Sequence, residues 1–251
     1  MCRLLGYVTR TPTTLAQLLG EAELHEFTEL SCKHGDGWGF AWATADGVEV
    51  RKSPDAARKS QAFARHAHEH TTDLGLVHLR WATLGLSVVQ ENTHPFTDGT
   101  MAFAHNGSIR PPSSLDALIP ADLQARRLGT TDSERYFLAT LAGAEDADPA
   151  EALADTVDRI TYSLQFSGLN ALIATPEQLI AVCRYDPVAQ AMEDEPDYYH
   201  LRYRVTREGV VISSSGWGAG WRSLENGELL TVQRGTLDVS VRSLAEAQLA
   251  G

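Results

Sequence analysis

The chain has 251 residues, of which 43% are hydrophobic and 22% are charged, and its formal net charge at pH 7 is −12. This composition is ordinary for a soluble globular protein that buries a sizeable core. The negative charge argues against nonspecific binding to nucleic acids or anionic membranes, because both depend on positive fields. Without an apolar N-terminal stretch or a run long enough to span a membrane, the sequence predicts a cytoplasmic protein.

The cysteines, Cys2, Cys32 and Cys183, are too scattered for a disulfide framework or a C-x-x-C metal site.

The apolar segments at the start of the chain are short and bounded by turn residues, which is typical of strands. We predict strands at residues 3–9, 38–44, 75–81 and 101–105. Apolar residues at helical spacing predict helices at residues 61–70, 132–141 and 149–164. Further strands are predicted at residues 169–174, 179–184, 199–205, 210–214 and 229–232, and solvated loops at residues 111–114 and 192–197.

The order of these elements favours one fold class. Strands dominate both ends of the chain and helical patterns the middle, without the regular alternation that a doubly wound parallel sheet requires. Two antiparallel sheets with helices packed outside them fit this order better, and we therefore predict an α+β fold. No internal repeat, low-complexity tract or linker interrupts the sequence, so a single domain over residues 1–251 is expected.

The second residue, Cys2, is separated from the start of the chain by Met1 alone. If an aminopeptidase removes Met1, this cysteine carries both a thiol and a free α-amine. The pKa of such an amine is about 7.7–8.0 in peptides, so near neutral pH a useful fraction accepts protons. Cys2 would then supply a nucleophile and its general base on one residue. The alternative is that Cys2 is a small buried hydrophobic residue, as free cysteines often are.

A nucleophile that attacks an acyl group needs hydrogen-bond donors for the oxyanion. The segment of His105, Asn106 and Gly107 ends a predicted strand and shortly precedes Pro111, so we expect it at an exposed corner. The Asn106 amide offers two N–H donors, and Gly107 lets the backbone turn its own N–H toward a ligand. The competing interpretation is a simple Asn-Gly hairpin turn.

Two charged residues complete the candidate site. Arg80 follows apolar strand residues, and an unpaired buried charge is costly, so its partner is either a structural carboxylate or a substrate carboxylate held by the guanidinium fork. Asp132 stands at a predicted helix start, where its default role is N-cap, although its carboxylate can equally bind a substrate ammonium. Together with Cys2 and Asn106, these groups would bind an α-amino acid whose distant carbonyl is attacked, such as glutamine or a γ-glutamyl amide.

Several short motifs, in this order and at compatible spacing, resemble those of the class II (N-terminal nucleophile, or Ntn) glutamine amidotransferases. They are residues 1–6 (MCRLLG), 34–39 (HGDGWG), 80–83 (RWAT), 92–96 (NTHPF), 105–107 (HNG) and 131–134 (TDSE). The chain departs from the pattern at Leu84, where sugar-phosphate synthases of this family usually carry histidine. It departs again at residues 213–217 (SSSGW), where many relatives have an ASEPL-like segment.

The resemblance implies a four-layer αββα sandwich, the Ntn-hydrolase fold, and a set of roles. The implied catalytic residues are Cys2 as nucleophile, with Asn106 and the Gly107 N–H as the oxyanion hole. The implied substrate-binding residues hold the α-carboxylate and the α-ammonium of glutamine: Arg80, Trp81, Thr83 and Asp132.

Three functions stay open at this point. The first is hydrolysis of the γ-amide of glutamine or of a γ-glutamyl amide through a Cys2 thioester, with any ammonia passed to a separate synthase subunit. The second is a γ-glutamyl hydrolase of a small-molecule pathway, similar to the family member of ergothioneine biosynthesis. The third is a non-catalytic glutamine-binding partner subunit that retains Met1.

No cofactor and no metal are expected. The sequence of His66, His68 and His70 invites a metal interpretation, but on the predicted helix only His66 and His70 share a face. No His-Glu-x-x-His pattern accompanies them.

Overall fold

The structure is a computed structural model that describes residues 2–82, 85–195 and 197–244. In chain order its strands are β1 (Arg3–Thr13), β2 (Trp38–Ala43), β3 (Val48–Ser53), β4 (Thr72–Leu79), β5 (Phe96–Thr97), β6 (Ala102–Arg110), β7 (Gln165–Ala174), β8 (Gln178–Cys183), β9 (Leu201–Val205), β10 (Gly209–Ser213), β11 (Arg222–Leu224), β12 (Glu228–Gln233) and β13 (Val239–Ser243). Its α-helices are α1 (Leu15–Leu19), α2 (Glu21–Glu29), α3 (Gln61–Glu69), α4 (Ala121–Ala125), α5 (Asp132–Ala144), α6 (Pro149–Ser163) and α7 (Pro187–Ala191). Among the described residues we find no helix with the length and apolar character needed to cross a membrane.

The strands form two antiparallel sheets. One has the order β11-β9-β10-β1-β4-β2-β3, and the other has the order β13-β12-β8-β7-β6-β5. Strand β1 lies in the middle of the first sheet, between β10 and β4, and β6 lies beside β7 in the second. This arrangement brings the beginning of β1 opposite the middle of β6.

The alternation of side chains along each strand builds the layers. On β1, Leu4 packs between the sheets with Leu172 of the second sheet. Its neighbour Leu5 points to the other face and packs against Phe27 of α2 and Phe63 of α3. Because helices and the second sheet cover the two faces, β1 is apolar at consecutive positions.

The second sheet is covered in the same way on its outer face. Phe103 of β6 packs there with Tyr136 of α5 and Val157 of α6. The layers therefore run helix, sheet, sheet, helix, which confirms the predicted α+β fold and the four-layer αββα arrangement of Ntn hydrolases.

Segments with a strong periodic pattern were predicted well, whereas several short elements with a weak pattern were not predicted. The helices expected at residues 61–70 and 149–164 are α3 and α6, and each of the predicted strands coincides with a strand of the structure. Helix α2 was not predicted, because only Leu24 and Phe27 of its residues are buried and so few apolar positions give a weak periodic signal.

The expected corner at Asn106 and Gly107 is wrong, and so is the alternative of a hairpin turn. Strand β6 continues through both residues to Arg110, and Asn106 is fully buried opposite Asn170 of β7. Gly107 has φ = +153°, and a Cβ atom at this position would lie 1.9 Å from the carbonyl oxygen of Gly168. Glycine is needed here because two strands approach each other closely, not because the chain turns.

The acidic segment at residues 192–197 is more than a solvated loop. Its Glu195 forms an ion pair with the buried Arg3 and a second one with Lys33, at 3.2 Å. The other predicted loop, at residues 111–114, falls largely within a 3-10 helix, Pro112–Leu118.

Candidate active site

Cys2 lies just before β1 and is buried between the ends of the two sheets. Its backbone nitrogen donates a hydrogen bond to Oδ1 of Asn106 at 3.1 Å, and its Sγ lies 3.8 Å from the carbonyl oxygen of Trp81. Burial raises the pKa of the Cys2 thiol, and the positive charge of Arg80 opposes this shift. A thiol with a raised pKa is largely protonated at neutral pH, so it needs a nearby base to become a nucleophile.

Only one of the two polar atoms of the Asn106 side chain has a hydrogen-bond partner among the described residues. Oδ1 accepts the hydrogen bond from Cys2, whereas Nδ2 is buried and has no partner within the described part of the chain. Native proteins rarely leave such a donor unpaired. The arrangement therefore provides a donor directly beside the Cys2 residue.

Arg80 follows the last residue of β4 and is 2% exposed. It donates hydrogen bonds to the backbone carbonyls of Asp36 at 3.4 Å and of Ser87 at 3.3 Å. The Asp36 carboxylate accepts instead from the backbone N–H of Ala82 at 2.8 Å. The partners of this guanidinium are therefore two carbonyl oxygens and not a structural carboxylate, which leaves it able to exchange a carbonyl for an anion.

Asp132 is the first residue of α5, and the alternative that it acts as the N-cap is wrong. The cap is Thr131, whose Oγ1 accepts from the backbone N–H of Glu134 at 3.1 Å. Asp132 instead accepts from the backbone N–H of Ile109 through Oδ2 at 2.7 Å. This hydrogen bond fixes the carboxylate beside β6, three residues from Asn106.

The candidate residues meet around one small cavity. Five of them line it, namely Cys2, Arg80, Trp81, Gly107 and Asp132, and Asn106 reaches it through its contact with Cys2. Thr83, the remaining candidate, lies outside the described residues. The cavity volume is about 20 Å³, enough for about one water molecule. The charged groups Arg80 and Asp132 thus line the same cavity as Cys2.

Comparison with known proteins gives the family. The family described as class II glutamine amidotransferases matches residues 1–250. This chain belongs to the class II glutamine amidotransferases. An uncharacterized protein of Methanocaldococcus jannaschii is 27% identical to it, over 99% of this chain and 74% of that protein. The gamma-glutamyl-hercynylcysteine sulfoxide hydrolase of Mycobacterium tuberculosis is 28% identical, over 85% of this chain and 97% of the hydrolase.

A solved structure shows the same fold. A glutamine aminotransferase class-II domain protein from Silicibacter pomeroyi superimposes with a TM-score of 0.69 at 22% identity, covering 98% of this chain and 100% of that one. The similarity extends over nearly the full length of both chains, so it includes both sheets and the helices on their outer faces.

Three buried histidines at or next to this small cavity of the amidotransferase, His78, His94 and His105, were not predicted as site residues. Nδ1 of His105 forms a hydrogen bond with Oγ of Ser133 at 2.9 Å, and Nε2 of His105 lies 3.0 Å from the carbonyl oxygen of Gly168. A carbonyl oxygen only accepts, so the Nε2 of His105 carries a proton. His94 and His105 belong to the 92–96 and 105–107 motifs, but nothing in those motifs alone marks them as lining the cavity.

The other two histidines lie against each other. The rings of His78 and His94 stack at 4.2 Å, and neither ring nitrogen of His94 has a hydrogen-bond partner among the described residues. Burial lowers the pKa of both far below the usual value, and the charge of Arg80 adds to the shift. Both rings are therefore neutral at physiological pH.

The histidines of α3 form a separate cluster. His66 and His70 stack at 4.3 Å against Trp42, which confirms that these two share a face, and His68 turns away toward Glu21. Within residues 2–82, 85–195 and 197–244, no group of histidine, cysteine and acidic side chains has an arrangement suited to a metal ion.

Proposed function

We propose that this amidotransferase hydrolyses the γ-amide of glutamine or of a γ-glutamyl amide, with Cys2 as the nucleophile after removal of Met1. The observation that carries the proposal is the Asn106 side chain, which accepts a hydrogen bond from the Cys2 nitrogen at 3.1 Å and whose Nδ2 has no partner among the residues that the structure describes. One amide group then positions the attacking residue and offers a donor to the oxyanion formed by that attack.

Opposite charges select the amino-acid part of the substrate. Arg80 would exchange the Ser87 carbonyl for the α-carboxylate, a charge-assisted contact that is stronger than the one it replaces. Asp132 would bind the α-ammonium. The family motif assigns Trp81 and Thr83 to the same carboxylate, and Trp81 lines the cavity.

The reaction then needs no group beyond the chain and water. The α-amine of Cys2 takes the thiol proton, and the thiolate attacks the γ-carbonyl carbon. The developing oxyanion is held by Nδ2 of Asn106 and the N–H of Gly107. As the C–N bond breaks, the leaving amine takes the proton from the Cys2 ammonium. Water then attacks the thioester and gives its proton to the α-amine, and glutamate leaves as the thiol is restored.

A γ-glutamyl hydrolase is the second candidate, and one comparison favours it. The Mycobacterium tuberculosis hydrolase matches over 97% of its length and is named for a γ-glutamyl substrate. Such a reaction needs no acceptor for ammonia. If glutamine is the substrate, we propose that a separate synthase subunit receives the ammonia. In both cases we propose that the chain acts as a single domain in the cytoplasm.

The test is a release assay with the purified protein. Glutamate production is measured for glutamine and for a panel of γ-glutamyl amines and thiols, and intact mass shows whether Met1 has been removed. We expect release of glutamate only from protein that lacks Met1. Turnover by protein that keeps Met1 would refute the role of the α-amine, and a lack of turnover with every substrate would favour a glutamine-binding subunit.

Chemical labelling gives an independent check on the nucleophile. A glutamine-like diazo-ketone should label Cys2 and neither of the other cysteines. Cys32 is exposed and reports nonspecific alkylation, whereas Cys183 is buried and its thiol pKa is raised by burial to about 12. Labelling of Cys32 at the rate of Cys2 would contradict the assignment.

A further inference from the structure

One polar residue at the small cavity has no role in the reaction described above. His94 lines the cavity together with Cys2 and Arg80. It is 3% exposed, and neither of its ring nitrogens finds a hydrogen-bond partner among the residues that the structure describes. A neutral imidazole carries one N–H donor and one acceptor nitrogen, and native proteins rarely bury such groups unpaired. The ring therefore suits a place where a ligand supplies the missing partner.

The backbone of His94 is held in place by two strands of the first sheet. Lys52 of β3 donates through Nζ to the carbonyl oxygens of Thr93 at 2.6 Å and of Pro95 at 3.1 Å. On β2, a Cβ atom added to Gly39 would lie 2.2 Å from the carbonyl oxygen of His94, so the two backbones are in close contact. These contacts leave the backbone little room to move toward another partner.

The ring of His94 is held as well. It stacks on His78 of β4 at 4.2 Å and meets Phe96 of β5 edge to face at 4.6 Å. A rotation that brought its nitrogens to a different protein group would lose both ring contacts. The cavity that His94 lines is therefore the place from which a hydrogen-bond partner can reach the ring.

The surrounding charges indicate which part of a substrate lies at His94. Burial lowers the pKa of His94 far below its usual value, and the charges of neighbouring histidines, Arg80 and Lys52 add to this shift. The ring is therefore neutral. Asp132 acts on His105 instead, where its negative charge opposes the effect of burial on the pKa. His94 accordingly belongs to the positive side of the cavity, and this side suits an anion.

We propose that His94 is a further substrate-binding residue, whose ring N–H donates a hydrogen bond to the α-carboxylate that Arg80 holds. The inference rests on the proposed function and deepens it, because a guanidinium and a neutral imidazole together recognise the carboxylate. A neutral ring supplies this donor without burying a second full charge beside Arg80, which would be costly. Asp132 keeps its role with the α-ammonium.

The test measures binding without turnover, in the Cys2→Ala variant of the full chain. Three ligands are compared. L-Glutamine carries both α-groups, glutaramate keeps the carboxylate and lacks the ammonium, and 4-aminobutanamide keeps the ammonium and lacks the carboxylate. Titrations followed by NMR give the Kd of each ligand, including weak ones.

Substitutions of His94 in this background isolate its N–H group. His94→Phe keeps a ring in the stack and should raise the Kd of glutamine and of glutaramate by about 10-fold or more, since hydrogen bonds to charged groups are strong. The Kd of 4-aminobutanamide should stay within about twofold, which also reports that the variant is folded. His94→Asn and His94→Gln place an amide donor near Nδ1 and Nε2, respectively. The one that matches the donating nitrogen should return the Kd of glutamine to within about threefold of the value with His94.

His66 of α3 provides the matched control. It is buried and stacks on His70 at 4.3 Å, as His94 stacks on His78, but it lies outside the cavity lining. His66→Phe should therefore leave the Kd of all three ligands unchanged.

The outcomes separate the inference from the function on which it rests. An unchanged Kd of glutamine in His94→Phe overturns the inference. Equal losses for all three ligands overturn it too, because His94 would then support only the shape of the cavity. A loss with 4-aminobutanamide but not with glutaramate would assign the ring to the ammonium, and failure of both amide variants to restore binding would exclude the hydrogen bond. The proposed hydrolysis fails on a different observation, the absence of glutamate release by the wild type from every γ-glutamyl substrate.

Discussion

Replacing Asn106 by alanine removes two hydrogen-bonding groups that have different consequences. Loss of Nδ2 takes one donor from the proposed oxyanion hole, and removal of one such donor lowers kcat by about 10²–10³, or about 2.7–4 kcal/mol of transition-state stabilisation. Loss of Oδ1 breaks the hydrogen bond to the Cys2 nitrogen, whose net contribution is about 1 kcal/mol. Because Nδ2 is buried and has no hydrogen-bond partner in the described part of the chain, its removal also relieves an unfavourable burial. We therefore expect a large loss of kcat with a small change in stability.

The chain contains a matched control for this variant. Asn170 lies opposite Asn106 in the β6–β7 register, and both residues are fully buried. Unlike Asn106, it uses both ends of its amide, donating to the Tyr199 carbonyl and accepting from the Arg184 N–H at 2.8 Å. Asn170→Ala leaves those two backbone groups unpaired, so it should lower the free energy of unfolding by about 1–3 kcal/mol for each of them.

The assay measures kcat and KM for glutamate release together with thermal unfolding of both variants. Asn106→Ala should lose kcat with KM nearly unchanged, because the oxyanion exists only after attack. Asn170→Ala should lose stability while kcat stays within about threefold of the wild-type value. A kcat for Asn106→Ala within about fivefold of the wild-type value would refute the reasoning. An equal loss of kcat in Asn170→Ala would refute it as well.

Three further predictions concern other groups. Cys2→Ala should abolish glutamate release and leave the unfolding temperature near that of the wild type, and continued turnover would exclude Cys2 as the nucleophile. Arg80→Ala should raise KM by about 10-fold or more with a smaller effect on kcat, and an unaltered KM would contradict its role with the α-carboxylate. Burial, helped by the charges of His70 and Arg51, lowers the pKa of His66 from 6.5 to about 4. As the pH falls, His66 takes up a proton in the unfolded chain near pH 6.5 but in the folded protein only near pH 4. The free energy of unfolding should therefore fall by at most about 3 kcal/mol as the pH drops from 6.5 to 4. Urea unfolding of the wild type and His66→Gln across this range checks it, and parallel curves would disprove the contribution of His66.

Local patterns predicted the elements whose signals are long and complete. Helix α6 begins with Pro149 after an Asp148 cap and buries a regular apolar face, and its predicted and observed bounds differ by one residue. The position of Asn106 was predicted wrongly, because Gly107 and the nearby Pro111 read locally as the end of a strand. Strand β6 continues because β7 supplies hydrogen-bond partners through this region, from residues about 60 positions away in the sequence.

From residue types and spacing alone came the layered fold, the family motifs and the inventory of Cys2, Arg80, Asn106 and Asp132. These follow because periodicity and side-chain chemistry are properties of the chain itself. The contacts between these residues, in contrast, could not be predicted from the sequence. The contact of Cys2 with an asparagine 104 residues away depends on how the two sheets are stacked. The carbonyl partners of Arg80 and the close approach of Gly107 to Gly168 likewise depend on long-range packing. Such hydrogen bonds join residues that share no local pattern, so they exist only once the long-range packing has brought the strands together.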